Sequence, residues 1–273
     1  MKPRGDPDLE IPLLLEAIYQ KYHYDFRSYS AASLKRRLVS ALNHFGLSTL
    51  SQLQDRLLQD AKVFAELLRF LTVQVSDLFR DPSYFRSIRE KVVPYLSTYP
   101  SLKVWVAGCA TGEEAYSLAI LLAEEGLLDR TLIYATDIHP ESLRMAQSGV
   151  FDLDRFARFT QSYLEAGGKG SLSDYYTAAY SSAVFDRRLR KAILFSDHSL
   201  ATDAAFAEVE LISCRNVLIY FEKNLQERAI GVLRDALGRK GFLGLGQKES
   251  LRFSRHAEVF ADFVPDDRIY QKL

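Results

Sequence analysis

Through the first third of the chain, apolar residues recur three or four positions apart. IPLLLEAIYQKYHY, SAASLKRRLVSALNHFG, STLSQLQDRLLQDA and KVFAELLRFLTVQ each carry this spacing, which predicts four amphipathic helices. Local signals mark their ends. Ser30 or Ser33 can cap the second helix and Gly46 can close it, while Ser48 can cap the third. DPSYFRSIREKVVPYL opens a further helix, with Asp81 as N-cap and Pro82 at the first helical position, where a missing N–H costs nothing. Pro94 and Pro100 then punctuate a link into Lys103.

From Lys103 the period changes. KVWVAG, TLIYATD, AILFSD, VELISC and FLGLG read as short apolar strands, and RIYQKL closes the chain. Between them EEAYSLAILLAEEG, PESLRMAQSG and EKNLQERAIGVLRDALGRKG read as helices, the last ending at its glycines. Strand–helix alternation implies an α/β fold: a mostly parallel sheet covered by helices on both faces. One stretch breaks it. ARFTQSYLEAGGKGSLSDYYTAAYSSAVFDRRLRK holds a glycine turn and a tyrosine-rich run, and is expected to form a small antiparallel β insertion.

Composition narrows the class only a little. With 273 residues, 48% hydrophobic and 26% charged, the chain can bury a sizeable core as one large or two smaller domains. The zero net charge argues against a nucleic-acid partner, which ordinarily demands a basic surplus. The basic run Lys35-Arg36-Arg37 on the second helix reads as a solvated face or as a docking face for an acidic partner. Cys109 and Cys214 form no CxxC pair, and the five histidines have no metal spacing, so no metal and no disulfide are expected. No apolar run is long enough to span a bilayer and the N-terminus lacks a signal-peptide pattern, so a cytoplasmic location without membrane insertion is expected.

The chemistry concentrates in VWVAGCATGEE. In an open parallel sheet, ligands bind beyond the carboxyl ends of the strands. Gly108 and Gly112 permit a sharp turn and close approach of a ligand there. The spacing is not GxGxxG, and Glu113 and Glu114 occupy the helix start that a pyrophosphate would need. They complement the helix dipole themselves and repel phosphate, so the ligand should lack phosphate and carry a positive group. The next strand ends in Asp137, an acid placed to accept both hydroxyls of a ribose. A phosphate-free nucleoside with a cationic tail describes S-adenosylmethionine (SAM). The bland alternative is that these acids are ordinary helix-start and cap residues.

Several stretches together resemble the chemotaxis receptor methyltransferases (CheR). ATGEEAYSLA is similar to that family's first loop and helix, and YATDIHPESLRMAQSGVF to its ribose-binding segment. ISCRNVLIYF resembles its fourth-strand signature, and TVQVSDLFRDPSYF its interdomain segment, all in the family's order. The resemblance implies an all-α N-terminal domain (residues 1–90) before a Rossmann-like class I SAM methyltransferase domain (91–273), with the small antiparallel β insertion at about 152–193. It implies a protein-glutamate O-methyltransferase: methyl transfer from SAM to glutamate side chains on the cytoplasmic domains of chemoreceptors (methyl-accepting chemotaxis proteins) during chemotaxis adaptation, leaving S-adenosylhomocysteine (SAH). A monomer is expected. A SAM-binding regulatory protein without turnover and a methyltransferase for another substrate are the alternatives.

Residue by residue, the resemblance places Arg80 and Tyr220 at the reacting methyl group. Ser76, Arg80, Gly108, Glu113, Asp137, Ser199, Leu200, Arg215 and Asn216 match cofactor-binding positions, with Glu113 on the amino group of SAM and Asp137 on its ribose. Gln74 stands where many members have asparagine, and Ser199 stands in a segment that often reads Asn-Leu. Ala115 replaces a common proline.

Overall fold

The structure, a computed structural model, describes residues 5–273. Contacts divide the chain into two units. One comprises the described residues up to 74 together with 200–202 and 220–229; the other comprises 75–199, 203–219 and 230–273.

Four helices dominate the first unit: α1 (Pro7–Tyr22), α2 (Ala31–Phe45), α3 (Leu50–Gln59) and α4 (Ala61–Leu71). Their buried residues keep the predicted spacing, as in Leu34, Leu38 and Leu42 of α2 and Phe64, Leu67, Leu68 and Leu71 of α4. Gly46 closes α2 in the left-handed conformation. Ser30 occupies the N-cap of α2 but makes no side-chain cap bond. Thr49, not Ser48, caps α3, because Thr49 and Gln52 complete a reciprocal capping box one residue further on.

The second unit begins with α5 (Pro82–Ser87), a π-helical turn (Ile88–Val92) and α6 (Val93–Leu96). Pro94 therefore lies inside a helix rather than in a link. It has no N–H, and the ladder widens just before it, with Val93 N–H donating to Ile88 O. Then follow β1 (Leu102–Ala107), α7 (Glu113–Glu124), β2 (Thr131–Asp137), α8 (Pro140–Ser148) and β3 (Val150–Asp152). After these come α9 (Phe156–Glu165), β4 (Tyr176–Ala179), β5 (Ser182–Phe185), α10 (Arg187–Lys191), β6 (Ile193–Asp197) and β7 (Val209–Cys214). The chain ends with α11 (Lys223–Ala236), β8 (Leu237–Leu245), β9 (Phe260–Val264) and β10 (Ile269–Lys272).

A seven-stranded sheet runs in the order β6-β2-β1-β7-β8-β10-β9. The first five strands are parallel, and β10 is antiparallel to both of its neighbours. This is the mostly parallel arrangement expected from the alternating pattern. The strand order reverses direction at β1, which puts a topological switch point beside its carboxyl end. Helix α11 stops at Ala236, short of the glycines that were expected to end it. Leu237 already pairs with Val209, so the LGRKG stretch belongs to β8, with Lys240 left-handed (φ 63°).

The tyrosine-rich segment folds as the expected small antiparallel sheet, in the order β3-β5-β4. An aromatic cluster docks it: Phe185 stacks on Tyr116 of α7 (centroids 4.7 Å apart), and Phe151 and Phe156 meet Phe185 edge-on or tilted. That docking brings the residue before Phe156 towards the start of α7. Among the described residues, no helix is long and apolar enough to cross a membrane.

Candidate active site

The turn after β1 is strapped to the end of β2. Gly108 and Cys109 both donate to Thr136 O, at 2.8 and 2.9 Å. Ala110, left-handed at φ 47°, donates its N–H to Asp137 Oδ2 at 2.8 Å. Asp137 Oδ1 accepts the His139 N–H at 2.9 Å. Asp137 therefore braces two strand ends. Burial pushes its carboxyl up, and the N–H groups of His139, Ala110 and Ile138 pull it back. Gly108 and Gly112 have φ of 75° and 94°. A Cβ on Gly108 would strike the Val217 side chain, and one on Gly112 would come within 2.8 Å of Ala146 Cβ. Both glycines thus answer to neighbouring protein as well as to the turn.

Glu113 opens α7 with no solvent exposure at all. Its Oε2 accepts Thr111 Oγ1 at 2.7 Å. Oε1 lies 2.7 Å from Arg155 Nη1, an ion pair without hydrogen-bond alignment, so that oxygen is buried with no hydrogen-bond donor. Burial raises the carboxyl above the usual glutamate range, opposed by the Thr111 bond and the Arg155 charge. Arg155 was not singled out from sequence, since nothing local distinguishes it within the insertion. Its Nη2 donates to Ser76 O at 2.6 Å and to Asp77 Oδ1 at 3.2 Å, and Asp77 also pairs with Arg158.

Ser76 and Arg80 lie on the segment before α5. Phe79 N–H donates to Ser117 Oγ of α7 at 2.7 Å, and Phe79 and Asp81 are both left-handed. Asp81 sits at the expected N-cap of α5 but makes no cap bond. Its carboxylate accepts Arg215 Nη2 at 2.7 Å instead. Arg215, with a side chain 1% exposed, also donates to Glu114 Oε2 at 3.0 Å and lies 4.1 Å from the Tyr84 ring centroid. Ser213 Oγ donates to the other Glu114 oxygen at 2.7 Å. Protein acids thereby hold Nη1 and Nη2 of Arg215, while its Nε is buried without a hydrogen-bond partner. The Arg80 side chain makes one long bond among the described residues, Nη1 to Val75 O at 3.4 Å.

Asn216 is left-handed (φ 60°), and its N–H donates to Glu249 Oε2 at 2.9 Å. Glu249, also unremarkable in sequence, accepts Gly246 N–H at 2.6 Å and Ile219 N–H at 3.2 Å as well. Ser199 forms a local turn with Asp203, whose Oδ2 accepts its N–H at 2.8 Å. Gln74, Leu200 and Tyr220 belong to the first unit. There Gln74 Nε2 donates to Thr72 Oγ1 at 2.9 Å, Leu200 is buried, and Tyr220 lies 4.8 Å beneath the Arg37 guanidinium.

Among the described residues no group of His, Cys, Asp and Glu could hold a metal ion. Cys109 and Cys214 are buried free thiols whose pKa burial pushes well up, which suits packing rather than nucleophilic chemistry.

Comparison with known proteins bears on what this arrangement is for. The family described as "CheR methyltransferase, SAM binding domain" matches residues 74–263, and "CheR methyltransferase, all-alpha domain" matches residues 9–72. The chain belongs to the CheR methyltransferase family. A protein of Pseudomonas putida named "Putative methyltransferase Cher3" is 53% identical over all of both chains. The CheR relative named chemotaxis protein methyltransferase in Listeria innocua is 30% identical, covering 90% of this chain and 92% of its own. Its namesake in Salmonella typhimurium is 28% identical over 94% and 86%.

The residues fit the cofactor of the CheR SAM-binding domain. At the start of α7 stands a fully buried anionic oxygen lacking a hydrogen-bond donor, which suits an ammonium group and opposes a phosphate. A pH dependence follows. An ammonium pairs only with ionised Glu113, whose raised pKa keeps the proton to a higher pH than an exposed glutamate does. SAH affinity should therefore fall on acidification, starting above the ordinary glutamate range of about 4.3. Titration calorimetry from pH 4.5 upward checks this, and Glu113→Gln should flatten the part of the profile that Glu113 contributes.

Proposed function

We propose that this protein esterifies glutamate side chains on the cytoplasmic helices of chemoreceptors, using SAM as methyl donor. The observation that carries the reading is the buried Glu113 carboxylate at the start of α7, after β1, with Asp137 at the end of the neighbouring β2. The names of the relatives in Listeria and Salmonella support the receptor substrate.

Bound SAM supplies a methyl group on a positively charged sulfur. Glu113 holds the amino group of the cofactor, and Asp137 accepts from its ribose. A substrate glutamate is already ionised near neutral pH, so the site needs no general base. Its task is to align the incoming oxygen with the methyl group. Arg80, little engaged by the protein, has a guanidinium fork able to take a carboxylate bidentately and is assigned that role. Tight binding of the sulfonium charge would slow a step in which that charge is lost, so the acids serve best at the amino and ribose ends of the cofactor.

The test is transfer of radiolabelled methyl from SAM to a panel of chemoreceptor cytoplasmic fragments. Counts released by mild base, as an ester requires, are expected on at least one fragment. Labelling that resists base on every fragment, or no labelling by a chain that binds SAM, would refute the ester chemistry.

A further inference from the structure

Arg155 is the unexpected member of the site. It comes from the turn between β3 and α9, yet it reaches the buried carboxylate at the start of α7. Its guanidinium is anchored from the far side: Nη2 holds Ser76 O and Asp77 Oδ1, and the group lies 4.7 Å from the Phe159 ring centroid. The end facing Glu113, Nη1, stands 2.7 Å from Oε1 without a formed hydrogen bond, and the side chain is 31% exposed. One negative and one positive group thus stand side by side, each with an unused hydrogen-bonding direction.

An α-amino acid presents the mirror of that arrangement, an ammonium and a carboxylate on a single carbon. The methionine end of SAM is such a group. We infer that Arg155 and Glu113 together form a clamp for this zwitterion, in which Glu113 takes the ammonium and Arg155 takes the α-carboxylate. The inference rests on the SAM site proposed above and extends it to a residue that the family resemblance did not assign. Physical reasons favour a clamp over a bare carboxylate. Glu113 alone would leave the α-carboxylate of the ligand facing a buried anion, whereas the Nη1 end of Arg155, not used by Ser76 or Asp77, can donate a charge-assisted hydrogen bond to that carboxylate. The bonds to Ser76 and Asp77 hold the guanidinium in place, so little side-chain freedom is lost on binding. Because SAM and SAH share this end, the clamp acts on both.

The experiment is calorimetric binding of two probes, SAH and its decarboxylated analogue, to the full-length wild type, Arg155→Gln and Arg155→Lys, each first shown to be folded by circular dichroism. Arg155→Gln should weaken SAH by roughly 10- to 100-fold and leave the decarboxylated analogue within about twofold of wild type, the scale of one charge-assisted pair. Arg155→Lys should fall between, since it keeps the charge and loses the planar group that Ser76 and Asp77 hold in place. Equal or tighter SAH binding by Arg155→Gln would overturn the inference, because Arg155 would then merely compete with the ligand ammonium. An equal loss of both probes would also overturn it, since Arg155 would then only shape the pocket. A folded wild type that binds neither probe would remove the SAM site itself, an outcome distinct from both.

Discussion

Arg215→Ala should destabilise the fold more than removal of any exposed charge in this chain. The guanidinium is 1% exposed, donates to Glu114 and Asp81, and covers the Tyr84 ring. Its loss leaves two acids facing a cavity, and breaking a buried pair of this kind costs about 3–5 kcal/mol. In a chain of this size that corresponds to a fall in Tm on the order of 10 °C. Thermal melts followed by circular dichroism check it. A drop of only a degree or two, with SAH affinity lost, would show that Arg215 serves the cofactor and not the ion-pair network. The control is Lys35→Ala, which removes a salt bridge between side chains 49% and 84% exposed. Surface pairs contribute about 0–1 kcal/mol, so this control should barely move the melt.

Arg80→Ala should act on the reaction rather than on the fold. The segment that carries Arg80 is fixed by other contacts: Arg155 on Ser76, Phe79 on Ser117 and Asp81 on Arg215. The Arg80 side chain itself makes one bond of 3.4 Å. Removing it should leave Tm and SAH affinity nearly unchanged. Transfer should slow by about 100-fold or more, the usual cost of deleting a group that stabilises or positions reacting charge. Single-turnover transfer with SAM in excess separates rate from affinity. A variant with normal transfer would exclude Arg80 from the step, and one that loses SAH binding in proportion would make Arg80 a cofactor ligand only.

The arrangement of elements was legible because it follows from local rules. Apolar spacing marked α1 to α4, and strand–helix alternation marked β1, α7, β2 and α8 in order. Acids at a helix start and at a strand end are also local features, which is why Glu113 and Asp137 stood out. What stayed hidden depends on distant partners. Leu237 leaves the helix pattern for β8 because Val209 pairs with it. Asp81 has a cap position in sequence, but Arg215 lies 134 residues away and takes its carboxylate. Glu249 looks like any surface acid until the N–H groups of Asn216, Ile219 and Gly246 converge on it. Arg155 meets Glu113 only because an aromatic cluster docks the insertion on α7.

The proposed function makes the carboxylate at the start of α7 the feature that selects a cationic nucleoside, and one measurement tests that most directly. SAH and ATP are titrated calorimetrically into the folded wild type and into Glu113→Gln at neutral pH. SAH should bind the wild type, ATP should not, and Glu113→Gln should weaken SAH by at least tenfold, the scale of a charge-assisted hydrogen bond. A wild type that takes ATP in place of SAH, or a Glu113→Gln variant with undiminished SAH affinity, would contradict the account.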